Sequence, residues 1–150
     1  MFNNRGAQPA RVAMKVELRL IRATALTKDL HRLYSTLRSV QVPHLFFVDP
    51  GRDERHLSFE MPFDCRIHLV GAHVHPYATS MELYNVSRQE AVWIGTHGKQ
   101  EGTNSLGVYS SRDGYRVRAG ETFRITSVYD NPTAAPIDAM AGLFIFYSDE

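Results

Sequence analysis

Hydrophobic and polar residues alternate along much of the chain, and this period of two is typical of half-buried β-strands. In residues 12–20 every second side chain is apolar, and the residues between them include Lys15 and Glu17. Similar or continuously apolar stretches predict further strands at residues 44–48, 55–61, 65–75, 80–86, Glu90–Thr96, 115–118, 121–129 and 139–147. The last of these is strongly apolar, because hydrophobic residues run without a break from Leu143 to Tyr147.

Residues 30–37 are the one segment that departs from this pattern. Leu30, Leu33 and Leu37 are spaced like the apolar face of a short amphipathic helix, so this segment is predicted to be helical. Turn-forming residues separate the predicted strands, as in the Asp-Pro-Gly sequence that ends at Gly51. Eight or nine short strands joined by such turns predict an all-β protein, an antiparallel jelly-roll-like β-sandwich.

Length and composition indicate one folded domain. The 150 residues suit a single domain spanning 1–150, with residues 1–10 as a flexible N-terminus. Seventeen basic and sixteen acidic side chains give a net charge of +1, which argues against a nucleic-acid partner. No apolar run reaches the roughly 20 residues that a membrane span needs. Residues 1–10 also lack the basic-then-apolar pattern of a signal peptide.

Several common kinds of site have no support in the sequence. Cys65 is the only cysteine, so neither an internal disulfide nor a cysteine-based zinc or iron–sulfur site is expected. The glycine-rich loop 98–105 lacks the Gly-Lys-Ser/Thr ending of a P-loop, so nucleotide binding is not indicated. No hydrolase arrangement stands out, and Asp138 and Glu121 are interpreted as surface charges at strand ends.

The most informative short motif is the pair His73 and His75. On a strand, residues two apart point to the same face with Cα atoms about 6.6 Å apart, so their imidazoles can converge on one metal ion. Chance produces about 0.3 such pairs in a chain with seven histidines, so two solvated histidines on a sheet face are the alternative. Because the interleaved Val70, Ala72 and Val74 are apolar, the histidine face is expected to be polar or to line a cavity.

Three segments taken together resemble one known family. The His-x-His pair lies on one predicted strand, a second strand follows a Gly-Glu sequence at Glu121, and a third, rich in aromatics, carries an Asp-Ala-Met sequence ending at Met140. This order is similar to that of the C-terminal copper domain of the peptidylglycine alpha-hydroxylating and dopamine beta-monooxygenases, and of its single-domain relatives. The resemblance covers residues 59–147.

The resemblance implies one copper ion bound by His73, His75 and Met140, with His97 as a further candidate ligand. The chemistry of these donors agrees, because imidazole suits both copper oxidation states and a soft thioether favours Cu(I). Zinc is the alternative metal, and packing in the core is the alternative role of Met140. His31, His44 and His56 are interpreted as surface or strand residues. His68 lies at an odd separation from His73 and is expected to face the opposite side of a regular strand.

The implied activity is that of the family's oxygen-activating domain, which oxidises a small substrate with electrons supplied from outside. The substrate and the electron donor are unidentified, and a partner domain or a larger polypeptide would be one source of electrons. Two-copper hydroxylation by this chain alone is not expected, since the family's electron-transferring domain is not among these 150 residues. The copper resemblance favours a periplasmic or extracellular location.

Three positions depart from the family pattern. Gly71, Gly142 and Phe144 stand where the peptide hydroxylase carries an arginine, an asparagine and a tyrosine that anchor the carboxylate of its peptide. An amidated-peptide substrate is therefore not expected. Two other functions stay open, a non-catalytic copper-binding or copper-delivery module and an interaction domain that holds zinc or no metal.

Overall fold

The structure, a computed structural model, describes most of the chain from residue 32 onward. The described residues are Lys15, Glu17, 32–96 and 106–149. All but the first two belong to His31–Glu150, the second of two units into which the chain divides, so a single domain over 1–150 stays a prediction. Five predictions fall on residues outside the described ones: the flexible N-terminus at 1–10, most of the strand at 12–20, the loop 98–105, His31 and His97.

Nine β-strands form the described part of the chain, which contains no helix and hence none that could cross a membrane. In chain order they are β1 (Tyr34–Ser39), β2 (Leu45–Val48), β3 (Gly51–Glu60), β4 (Cys65–Val74), β5 (Ala78–Asn85), β6 (Glu90–Thr96), β7 (Val108–Val117), β8 (Thr122–Asn131) and β9 (Ile137–Asp149). The alternation in sequence becomes alternation in burial. In β8, for example, Phe123, Ile125 and Tyr129 are fully buried, and Arg124 between the first two is exposed.

The strands form two antiparallel sheets, which confirms the predicted sandwich of eight or nine strands. One sheet has the order β1-β9-β4-β7, with β2 also pairing with β9, and the other has the order β3-β8-β5-β6. Both sheets contribute fully buried side chains to one hydrophobic core, among them Val70 and Ile145 from the first and Leu83 and Ile125 from the second.

The helix predicted at residues 30–37 is wrong in the part that the structure describes. Tyr34–Ser39 is strand β1, and its antiparallel pairing with β9 sets Leu37 against Phe144. The leucine spacing favours a helix locally, but backbone pairing with a strand from the far end of the sequence decides the conformation. Tertiary context thus overrides a short periodic signal.

Strand β9 is the element around which the candidate site is built. It pairs with β4 along one edge and with β1 and β2 along the other. Ala141, Leu143 and Ile145 are fully buried, so these residues face the core. Gly142 and Phe144 between them, and Met140 before them, therefore lie on the opposite, outer face of the five-stranded sheet.

Candidate metal centre

The register between β4 and β9 places the two histidines and the methionine on one face of the sheet. His73 is paired with Gly142, and the backbone N–H of His75 donates a hydrogen bond of 3.2 Å to the carbonyl of Met140. Positions opposite each other in an antiparallel pair project to the same side. Val74 between the histidines is buried, so its neighbours point outward. The outer face therefore carries all three predicted ligands.

The two imidazoles lie close together at the end of β4. Their ring centroids are 5.8 Å apart and their planes are almost perpendicular, at 82°. His73 is exposed, whereas the side chain of His75 is 24% exposed. A metal–imidazole bond is about 2.0–2.1 Å long, so modest rotations of both rings would allow them to share one ion.

Asp138 fixes the ring of His75. The Nδ1 atom of His75 lies 2.8 Å from a carboxylate oxygen of Asp138, two residues before Met140 on β9. An ionised carboxylate only accepts hydrogen bonds, so Nδ1 is the donor in this contact and Nε2 is the lone-pair atom of the neutral ring. Carboxylates orient metal-binding histidines in this way. Asp138 is exposed, as expected for a surface charge, but it has this specific partner.

Tyr129 connects the opposite sheet to the same two strands. Its hydroxyl donates a 2.6 Å hydrogen bond to the carbonyl of Met140 and accepts one of 3.1 Å from the backbone N–H of His75. Burial raises the pKa of Tyr129, so the hydroxyl keeps the proton that it donates. This side chain braces the backbone at the point where β4 and β9 meet.

An apolar cavity of about 220 Å³ opens beside the histidine pair. Its lining consists of Leu37, Ser39, His44, His73, Met140, Gly142 and Phe144. Met140 is half-buried in this wall, which differs from the fully buried Met81 of the core. The histidine face was expected to be polar or to line a cavity, and at His73 it lines one.

His44, which was expected to be a surface or strand residue, is a further candidate residue of the site. It precedes β2, and the pairing of β2 with β9 sets Leu45 opposite Met140. His44 therefore reaches the cavity that also contains His73 and Met140. No local motif marks it, because its approach depends on a strand pairing between distant parts of the chain.

The other described histidines lie away from the pair. His68 sits at a β-bulge in β4, where its Nδ1 lies 3.1 Å from the carbonyl of Ser111 and its Nε2 lies 2.9 Å from the hydroxyl of Ser148. With both ring nitrogens engaged, it has a structural role. His56 is on β3 in the four-stranded sheet. The prediction for His97 stays a prediction.

The predicted ligands are two imidazoles and one thioether. Within residues 32–96 and 106–149, no group of three or more His, Cys, Asp or Glu side chains is arranged so that it could hold a metal ion. Among the described residues, Met140 offers a donor of another type on the face that carries His73 and His75. A thioether such as that of Met140 is a soft donor that suits Cu(I), whereas zinc prefers thiolate, imidazole and carboxylate.

Glu121 has a different environment from the one expected of it. Its side chain is only 12% exposed and accepts hydrogen bonds from Arg88 at 2.7 Å and from Asn85 at 3.1 Å. Asn85 also donates to the hydroxyl of Tyr115 on the other sheet at 3.0 Å. Glu121 therefore belongs to a structural hydrogen-bond network, and the prediction of a surface charge at a strand end was wrong for this residue.

No protein-family model and no curated protein matches this chain. The resemblance to the copper monooxygenase domain therefore stays a hypothesis founded on the three sequence segments. The functional proposal rests on the geometry around His73, His75 and Met140 described above.

Proposed function

We propose that this protein binds one copper ion through His73, His75 and Met140 and acts as a type II copper oxidoreductase on a small substrate. One observation carries the proposal: the register of β4 and β9 sets Met140 opposite His75 on the face that also carries His73. Two imidazoles and a thioether from adjacent strands are a donor set for a copper ion that changes oxidation state.

The neighbouring residues support the binding step. Asp138 holds the Nδ1 proton of His75 and so leaves Nε2 available as a ligand. Tyr129 fixes the backbone of His75 and Met140 relative to each other. Copper bound here would supply one-electron redox chemistry and oxygen activation, with electrons from an external donor. His73 and Met140 border the apolar cavity, which would hold a substrate next to the metal and limit its contact with water.

Copper titration of ligand variants tests the binding step. The wild-type protein is expected to bind one Cu(II) per chain, with an electron paramagnetic resonance spectrum that shows nitrogen ligands. His73→Ala is expected to weaken binding by about 100-fold or more, because one of the two proposed imidazole ligands is lost. His56→Ala, on the other sheet, is the matched control and should bind like the wild type. Equal affinities in all three proteins would show that the ligand assignment is wrong.

Oxygen consumption tests the reaction separately. The copper-loaded protein, freed of unbound copper by gel filtration and given ascorbate as electron donor, is expected to consume oxygen faster than the His73→Ala variant treated in the same way. Tight copper binding without such consumption would refute the oxidoreductase proposal. The protein would then be a copper-binding or copper-delivery module, the alternative already named.

A further inference from the structure

We propose that the cavity beside His73 and Met140 binds a small, uncharged and largely apolar molecule of about six to ten non-hydrogen atoms. Such molecules would be the substrate class of the copper centre. That such a molecule is a substrate rests on the proposed function. Its binding to the cavity does not depend on that function and is tested without metal.

The volume of the cavity sets the size of the ligand. It measures about 220 Å³. An apolar cavity of roughly 150 Å³ is enough to hold benzene, whereas pockets for drug-sized ligands begin at about 300 Å³. The space therefore fits a single ring with a short substituent, or an aliphatic chain of similar size.

The lining sets the chemistry of the ligand. Leu37, Met140 and Phe144 form apolar walls, and neither a carboxylate nor a lysine or arginine is among the lining residues. The hydroxyl of Ser39 donates to the carbonyl of Ala141 at 3.2 Å, so its hydrogen is already engaged. The polar side chains of the wall are the imidazoles of His44 and His73 and the hydroxyl of Ser39. A charged ligand would lose its hydration here and would meet no side chain with a permanent charge. An uncharged molecule avoids this cost.

Gly142 keeps the cavity open. A Cβ atom at this position would lie 3.1 Å from the Cδ1 atom of Leu37, which is closer than ordinary van der Waals contact. A larger side chain would therefore occupy the cavity. Gly71 lies on the same outer face of neighbouring β4, and a Cβ there would lie 3.9 Å from Val108, at an ordinary distance. The two glycines form a matched pair for testing the cavity.

The cavity walls offer apolar surface to a ligand. Leu37 is 44% exposed and Phe144, its partner across the β1–β9 pair, is 41% exposed. Covering apolar surface is favourable in proportion to the area that is removed from water. Exposed apolar patches that border a concave site often mark a place where a ligand binds. Binding would remove these two side chains from water.

Toluene is a suitable probe for the metal-free full-length protein in the presence of a chelator. Binding is followed in ¹³C-methyl-methionine spectra, where Met140→Leu identifies the Met140 signal. We expect a saturable shift of this signal in the wild type. Gly142→Val should weaken binding by about tenfold or more, and Gly71→Val should change it by less than about twofold. Benzoate and benzylammonium, which have similar shapes but carry a charge, should bind at least about tenfold more weakly than toluene.

Three outcomes would overturn the inference: no saturable shift, equal affinity of the two glycine variants, or equal affinity for charged and uncharged probes. If Gly142→Val loses the β-sheet spectrum in circular dichroism, Phe144→Ala and its control Val108→Ala replace the pair. Phe144→Ala removes a wall and should weaken binding by about tenfold, whereas Val108→Ala, outside the cavity, should not. Copper titration of the same samples shows independently whether the metal proposal holds.

Discussion

Met140 differs from Met61 and Met81 in its surroundings. Met61 and Met81 are 2% and 0% exposed and pack in the interior, where flexible thioethers fill irregular space. Met140 instead lies half-buried in the wall of the cavity that also contains His73. The side chain of Met140 therefore borders the same space as an imidazole, which is the setting that a role as a metal ligand requires.

Replacing the thioether separates the two roles of Met140. Met140→Leu conserves volume, so we expect a loss in stability below about 1.5 kcal/mol. Affinity for Cu(I) should fall by about tenfold or more, and affinity for Cu(II) by only a few-fold, because the softer ion gains more from sulfur. Competition with chelators specific for each oxidation state measures both. Met81→Leu serves as the control, and equal losses for both ions would indicate a packing role for Met140.

At the scale of elements, the pairing partners of β9 determine which side chains meet at the candidate site. It brings β4 with the histidine pair to one side and β2, preceded by His44, to the other. Tyr129 of β8 reaches across the core from the other sheet and bonds to the backbone of both strands at this point. The sandwich therefore supports the site through a hydrogen bond between its two layers as well as through strand pairing.

Removing the hydroxyl of Tyr129 tests this support. Tyr129→Phe keeps the buried ring, which packs edge-on against Phe46, but leaves the carbonyl of Met140 without its short hydrogen bond. We expect a loss of about 1–3 kcal/mol in the free energy of unfolding and a few-fold loss of copper affinity. Urea denaturation and copper titration measure these effects. Tyr84→Phe, on β5, is the control, and an equal effect in both variants would argue against a role for Tyr129 in positioning the site.

At the scale of the whole molecule, a polar network ties the two sheets together. Asn85 of β5 is fully buried and donates to Glu121 and to the hydroxyl of Tyr115 on β7. Tyr115 in turn donates to Glu90 at 2.6 Å. Burial, followed by this hydrogen bond to Glu90, raises the pKa of Tyr115 to about 12. The tyrosine therefore stays protonated and the network stays intact at neutral pH.

The same network makes stability depend on acid pH. Burial opposes ionisation of Glu121, but hydrogen bonds from Arg88 and Asn85 outweigh it and hold its pKa below the ordinary value of 4.5. A lowered pKa in the folded state stabilises the fold above the unfolded-state pKa, and this stabilisation is lost as the pH falls through the folded-state value. Glu121 therefore contributes to stability at neutral pH and ceases to do so in acid.

Glu121→Gln is expected to lower the free energy of unfolding at about pH 7 by about 1 kcal/mol or more, because it removes a charge that accepts two hydrogen bonds. Towards pH 3 the difference from the wild type should shrink. Urea denaturation across this range measures it. Glu54→Gln, which removes an exposed partner of Arg52, should show little pH-dependent difference. A constant difference for Glu121→Gln at all pH values would contradict the assignment.

Strand prediction succeeded where the alternation reflected one buried face. The predicted stretches at 65–75 and 121–129 correspond closely to β4 and β8. Buried residues recur at every second position along β8, whereas a bulge after Ile67 interrupts this alternation in β4. The prediction failed at residues 34–37, where spacing imitated a helix and pairing with β9 made a strand. The predicted strand at 115–118 was too short, because β7 extends from Val108 to Val117 through the Asp-Gly sequence at Gly114. Turn-like residues inside a strand hide it from local patterns.

The sequence by itself determined the class of the fold and the common face of His73 and His75, because both follow from the two-residue period of a single strand. The tertiary structure alone decided that Met140 lies opposite His75, that Asp138 and Tyr129 hold this junction, and that His44 enters the cavity. These contacts join residues far apart in the chain. Their register depends on how both sheets bury their apolar faces together, and no local pattern contains that information.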